Sequence, residues 1–101
     1  MSGELENIKK IVSNNKDYLR DTYGIKDLGI FGSFARKENT LLSDVDVLFE
    51  IEEKNNKTSL FDLVEMKNFL EKILGKTVDL VDKRRIKPAL KEKILKEAIM
   101  L

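Results

Sequence analysis

The sequence predicts an α+β fold, a small mixed three-stranded sheet in a layered α/β arrangement with helices packed on one face. Three observations carry that reading. Apolar residues recur at helical spacing in the N-terminal, central and C-terminal stretches, residues Ser43 to Ile51 alternate apolar and polar, and short apolar runs bounded by glycine or polar turns separate the helical stretches. With 101 residues the chain is long enough for one core and too short for a second lobe, so residues 1–101 are read as a single domain without repeats or linkers.

Taken in order, Leu5, Ile8, Val12 and Leu19, with Ile11 beside them, predict an amphipathic helix from Leu5 to Thr22, closed by Gly24. Leu28 to Phe31 reads as a buried strand that runs into a Gly32-Ser33 turn, followed by a short helical turn through Phe34 to Lys37. In the next strand Val45, Val47, Phe49 and Ile51 share one face, and Asp44, Asp46, Leu48 and Glu50 share the other. Glu52 to Lys57 is a polar connection. Ser59 and Asp62 form a capping-box pattern that opens a helix with a stripe of Leu60, Leu63, Val64, Leu70, Ile73 and Leu74, stopped by Gly75. Thr77 to Val81 is a third strand. Pro88 suits the first turn of a last helix whose buried face is Leu90, Ile94, Ala98 and Leu101.

Composition removes several chemistries. The chain has no histidine and no cysteine, so it cannot build a Ser-His-Asp or Cys-His nucleophilic site, a zinc finger or a disulfide. Catalysis, if present, rests on carboxylates, hydroxyls, lysines and arginines, and any metal is a hard, oxygen-liganded one such as magnesium, manganese or calcium. The N-terminus has no apolar signal region and no apolar run reaches the ~20 residues of a membrane span, so a cytoplasmic protein without membrane partners is expected. Lys+Arg 19 and Asp+Glu 18 nearly cancel, yet the charges are segregated: Glu38 to Glu53 holds six acidic residues and no basic one, whereas Lys83 to Glu97 holds seven basic and two acidic. An acidic segment invites cations, and a basic one invites phosphates or an acidic partner.

The acidic segment contains the informative constellation. Asp44 and Asp46 are two apart on one strand, so both leave the same face roughly 6.5 Å apart at the backbone, within reach of one cation or of two. Asp79 lies in the otherwise apolar Val78-Asp79-Leu80-Val81, where an unpaired buried carboxylate costs several kcal/mol, so it sits at an open edge or has a cationic neighbour. If its strand lies beside that of Asp46, three carboxylates converge. Upstream, Gly32 lets a backbone approach a phosphate and Ser33 adds a hydroxyl donor. Arg36, three residues after Ser33, can contact a phosphate or brace Glu38 or an aspartate, and the residues alone leave both open. Phe31, Phe34 and Phe49 continue apolar patterns and are read as core.

Gly32-Ser33, ten intervening residues and Asp44-Val45-Asp46 resemble the G-S-x10-D-x-D signature of the DNA polymerase β-like nucleotidyltransferase superfamily. Within it, GSFARKENTLLSDVDVLFE is most similar to the minimal nucleotidyltransferases, the MntA-type antitoxins of HEPN/MNT toxin-antitoxin pairs, and the likeness continues through Lys76 to Val81 and the Pro88 helix. The resemblance implies that Gly32 and Ser33, with Arg36, bind the nucleotide, that Asp44 and Asp46 bind two magnesium ions, and that Asp79 completes the metal site and helps deprotonate the acceptor. It implies ATP as substrate and AMP transfer to a tyrosine of a HEPN-type RNase toxin encoded nearby. Nucleic acid is not expected as a direct ligand, and an oligomer is left open. Two other readings stay open on sequence: a nucleotidyltransferase acting on RNA or a small hydroxylated molecule such as an aminoglycoside, and an antitoxin that only binds its toxin.

Overall fold

The structure is a computed structural model that describes residues 3–52 and 58–101. Most of the polar connection expected from Glu52 to Lys57 lies outside the described residues. Strict alternation puts β2 (Val45–Ile51) inside the sheet: Val45, Val47, Phe49 and Ile51 are buried on one face, and Leu48 is buried on the other. β1 (Ile25–Phe31) pairs antiparallel with one side of β2, and β3 (Val78–Asp82) pairs parallel with the other. A two-residue strand, β4 (Ile99–Met100), adds antiparallel to β1, giving the order β3-β2-β1-β4. The mixed α+β class is as predicted, with four strands among the described residues in place of three.

The extra strand corrects the C-terminal expectation. The last helix, α5 (Pro88–Glu97), stops at Glu97 and Ala98 turns extended, so Leu101 does not lie on a helical face. Met100 instead lies against Gly29, where a β-carbon would stand 2.6 Å from its Sδ, and the Leu101 amide donates to the Leu28 carbonyl at 2.9 Å. No residue of α5 is buried, and Leu90 is half exposed. Helical spacing of Leu90, Ile94, Ala98 and Leu101 is compatible with a strand over the last residues, because three or four positions define a period only if the helix continues.

The predicted first helix is two, α1 (Gly3–Asn14) and α2 (Lys16–Tyr23). Asn15 marks the break: its side-chain amide donates to the Ile11 carbonyl at 2.8 Å, and its backbone amide donates to the Val12 carbonyl at 3.0 Å, three residues back in place of the helical four. Gly24 closes α2 as expected. In α4 (Leu60–Leu74) the Ser59 hydroxyl accepts from the Asp62 amide and the Asp62 carboxylate accepts from the Ser59 amide, a complete capping box, and Gly75 ends the helix. Its buried face is Met66 and Leu70, flanked by partly buried Leu63, Ile73 and Leu74; Leu60 and Val64, expected in the stripe, are turned to solvent.

Leu5, Ile8 and Val12 of α1, Leu19 and Tyr23 of α2 and Met66 and Leu70 of α4 pack with Leu28, Ile30, Val47 and Val78 in one core. The opposite face of the sheet is left for side chains such as Asp46 and Asp79. Among the described residues no helix is long and apolar enough to cross a membrane. Leu70→Ala should lower the unfolding free energy by about 2–5 kcal/mol, and Leu90→Ala by less than about 0.5 kcal/mol, in urea titrations.

Candidate active site

The strand register decides what spacing leaves open. Asp46 and Asp79 are direct partners across the parallel β2–β3 ladder, so the two carboxylates leave the same face of adjacent strands. Phe31 is the partner of Asp46 on the antiparallel side, so the row Phe31, Asp46, Asp79 crosses the sheet. Asp44 lies just before β2, whose first amide, that of Val45, donates to the Thr77 carbonyl at 2.9 Å. Phe31 is therefore not a core residue as its apolar run suggests: it is only partly buried and stands on the carboxylate face, whereas Phe34 and Phe49 are in the core.

Immediately after Phe31 the chain turns into α3 (Gly32–Ala35). Gly32 has φ 73°, a left-handed conformation that other residues adopt at a cost. Its missing side chain matters as much. The Asp46 carboxylate lies against it, so a β-carbon there would collide with Oδ2 and stand 3.0 Å from Cγ. Gly32 is buried and Ser33 partly exposed beside it, which places the predicted phosphate turn directly against the predicted carboxylate.

The carboxylates sense one another. Burial raises the Asp46 carboxyl above the usual carboxylate range, the negative charges of Asp79 and then Asp44 push it further, and the Arg36 cation acts the other way. Arg36 itself is engaged as a brace: its Nε donates to Glu38 at 2.9 Å, and its Nη1 donates to both oxygens of Glu97 at 3.1 and 2.9 Å. Of the two roles the sequence allows, phosphate contact or brace, this structure displays the second.

A supporting layer was not visible in the sequence. Glu4 of α1 accepts from the Asn39 side chain at 3.0 Å and pairs with Lys76 at 2.7 Å, and the Lys76 ammonium stands 5.6 Å from the Phe34 ring centre. These contacts tie α1 to the loop that leads into Asp44 and to the turn that leads into Asp79. Their partners are 35 and more residues apart, and no local spacing signals them.

Among the described residues no three acidic side chains are gathered closely enough to hold a metal ion as they stand. In donor type and charge the set nevertheless suits a hard divalent cation: it offers carboxylate oxygens only, and the negative charges of Asp79 and Asp44, which add to burial in raising the Asp46 carboxyl, are ones such a cation offsets.

Over residues 6–101 the chain matches the family described as nucleotidyltransferase domain. The chain belongs to that family. It is an enzyme of the nucleotidyltransferase type, and its relatives agree. The protein adenylyltransferase MntA of Thermococcus cleftensis is 38% identical over 95 residues, which cover 94% of this chain and 93% of the relative. A solved structure provisionally described as a minimal nucleotidyltransferase is 34% identical with a TM-score of 0.74, covering 93% of this chain and 95% of the other. The fold recurs, at 19% identity and a TM-score of 0.60, in a complex of a tri-AMPylated Shewanella oneidensis HEPN toxin with an MNT antitoxin, covering 99% of this chain and 71% of the matched one.

Two outcomes follow from the geometry. A carboxyl raised in the folded state makes that state bind more protons than the unfolded chain, so its contribution falls as pH climbs from about 3.9 through the raised value. With chelator present, Asp46→Asn should therefore unfold at higher urea than the unsubstituted chain at pH 7, and the gap should close below about pH 4. Gly32→Ala should destabilise the fold by about 1–3 kcal/mol in the same titrations, from the left-handed backbone and the displaced Asp46 carboxylate.

Proposed function

We propose that this nucleotidyltransferase moves AMP from ATP to a tyrosine hydroxyl of a HEPN-type RNase toxin encoded nearby, silencing it as an antitoxin in the cytoplasm. The observation that carries the reading is the in-register pairing of Asp46 with Asp79, with Gly32 packed against Asp46 and Ser33 next to it in the chain. The choice of a protein acceptor is supported by the relative named a protein adenylyltransferase and by recurrence of the fold in a complex with an AMPylated toxin.

In this reading the backbone at Gly32 lets the triphosphate approach closely, and the Ser33 hydroxyl donates to a phosphate oxygen. Asp44, Asp46 and Asp79 would hold two magnesium ions, which when bound offset the triphosphate charge and stabilise the attacking and leaving oxygens. Asp79 accepts the proton of the tyrosine hydroxyl. The phenolic oxygen bonds to the α-phosphorus as the bond from that phosphorus to the oxygen bridging the β-phosphate breaks in line, and pyrophosphate leaves. Arg36 joins phosphate binding by exchanging Glu38 and Glu97 for phosphate oxygens, both being charge-assisted bonds of similar kind.

The test incubates the chain with ATP, Mg²⁺ and the neighbouring HEPN-type protein and follows that protein by mass spectrometry. A gain of one or more AMP groups is expected, with Asp44→Asn and Asp46→Asn at least about 100-fold slower. Neutralisation of the partner by both variants without any mass change would instead establish an antitoxin that works by binding alone. Ser33→Ala should weaken ATP binding by roughly fivefold, the worth of one neutral hydrogen bond, while backbone donors remain.

A further inference from the structure

Away from the phosphate turn, a groove of about 680 Å³ lies between the first turns of α4 and the outer side of β3, and Asp79 is one of its lining residues. β3 is an edge strand, so no further strand of the described residues covers that side. Leu63 and Leu80 line it, Leu60 and Val64 form its helical wall, and Arg84 and Arg85 stand at the end remote from the phosphate turn. Leu60, Phe61 and Val64 are 76%, 82% and 50% exposed, three large apolar side chains together on one helix start. Such a contiguous apolar patch on a charged protein marks a surface that another molecule covers.

The charges at its end narrow the occupant. Arg84 is held by Asp82, with Nη2 to Oδ2 at 3.3 Å, but the Arg85 side chain is 85% exposed and stands 4.0 Å from the same carboxylate. A second copy docked symmetrically would present the same basic end and repel it. A nucleic acid backbone would find donors at Lys67, Arg84 and Arg85 but would also lie against the carboxylates of Asp79 and Asp82 and the apolar walls of Leu60, Leu63, Val64 and Leu80. An acidic stretch of protein with an apolar residue in it meets both features. Asp82 is three residues from Asp79, roughly 10 Å along the strand, so a segment of three or four residues spans the distance from the basic end to Asp79.

We propose that this groove seats an acidic, apolar-bearing segment of the acceptor protein and so holds the acceptor along the edge strand that carries Asp79. The inference rests on the protein adenylyltransferase reading above and adds where the acceptor docks and which chemistry it offers. Val64 and Arg85 act as docking residues; neither touches the nucleotide site.

Val64→Asp and Arg85→Glu test it, with the neighbouring HEPN-type protein as the probe. Both side chains are at least half exposed, so folding is retained, and urea titration verifies it. Each variant should raise the KM for the partner at least about tenfold while ATP affinity stays unchanged, Arg85→Lys should restore most of the loss, and added salt should raise the KM of the unsubstituted chain more than that of Arg85→Glu. Variants with an unchanged partner KM overturn the docking proposal alone. If the unsubstituted chain transfers nothing, the adenylyltransferase reading fails and the docking proposal falls with it.

Discussion

The carboxylate face depends on β2 being clamped between β1 and β3. Asp46 and Asp79 repel, and nothing in their own chemistry draws them together; the ladder that sets Val45 opposite Val78 and Val47 opposite Leu80 imposes the neighbourhood. A like-charge pair near a protein surface costs on the order of a few kcal/mol. Val45, Val47, Phe49 and Val78 are nearly fully buried beneath it, and each contributes about 1.5–3 kcal/mol. Burial on one face therefore outweighs repulsion on the other, and the sheet can hold a charge arrangement that a strand alone would avoid.

The same logic explains why the turn after β1 begins with glycine. The row that brings Asp46 beside Asp79 also brings it beside Phe31, so the backbone that follows Phe31 meets the Asp46 carboxylate at once. Only a residue without a side chain, in a left-handed conformation, leaves that carboxylate its place. The turn and the aspartate are one constraint seen from two strands. Glu4, Asn39 and Lys76 hold the approaches to both aspartates from beneath, with buried Phe34 as the anchor of α3.

What the sequence made legible were features written in local period and local chemistry. The alternation of Val45, Val47, Phe49 and Ile51 gave the strand and its faces; Ser59 with Asp62 gave the helix start; Gly24 and Gly75 gave the ends. Less legible were features that depend on a choice between two local options. Asn15 satisfies either a helix or a break, and its side-chain bond to Ile11 marks the break. Ala98 and Leu101 fit a helix stripe or an extended end, and the pairing of Ile99 and Met100 with β1, over Gly29, decides for the strand. Arg36 was left between phosphate and brace, and Glu97, 61 residues away, lay beyond any local pattern. The register of Asp79 against Asp46 was permitted by sequence and decided only by pairing.

The start of α4 shows how stability and exposure can be separated along one helix. Its buried face runs through Leu63, Met66 and Leu70, so Leu60 and Val64 fall off the core by rotation, and neither helps hold the first turn through burial. The reciprocal Ser59–Asp62 cap supplies that support instead, at about 1 kcal/mol, and leaves the apolar side chains outward on a rigid platform. A turn anchored by burial would have hidden those side chains. A turn anchored by its cap keeps them exposed in fixed positions beside β3, where the edge of the sheet carries Asp79.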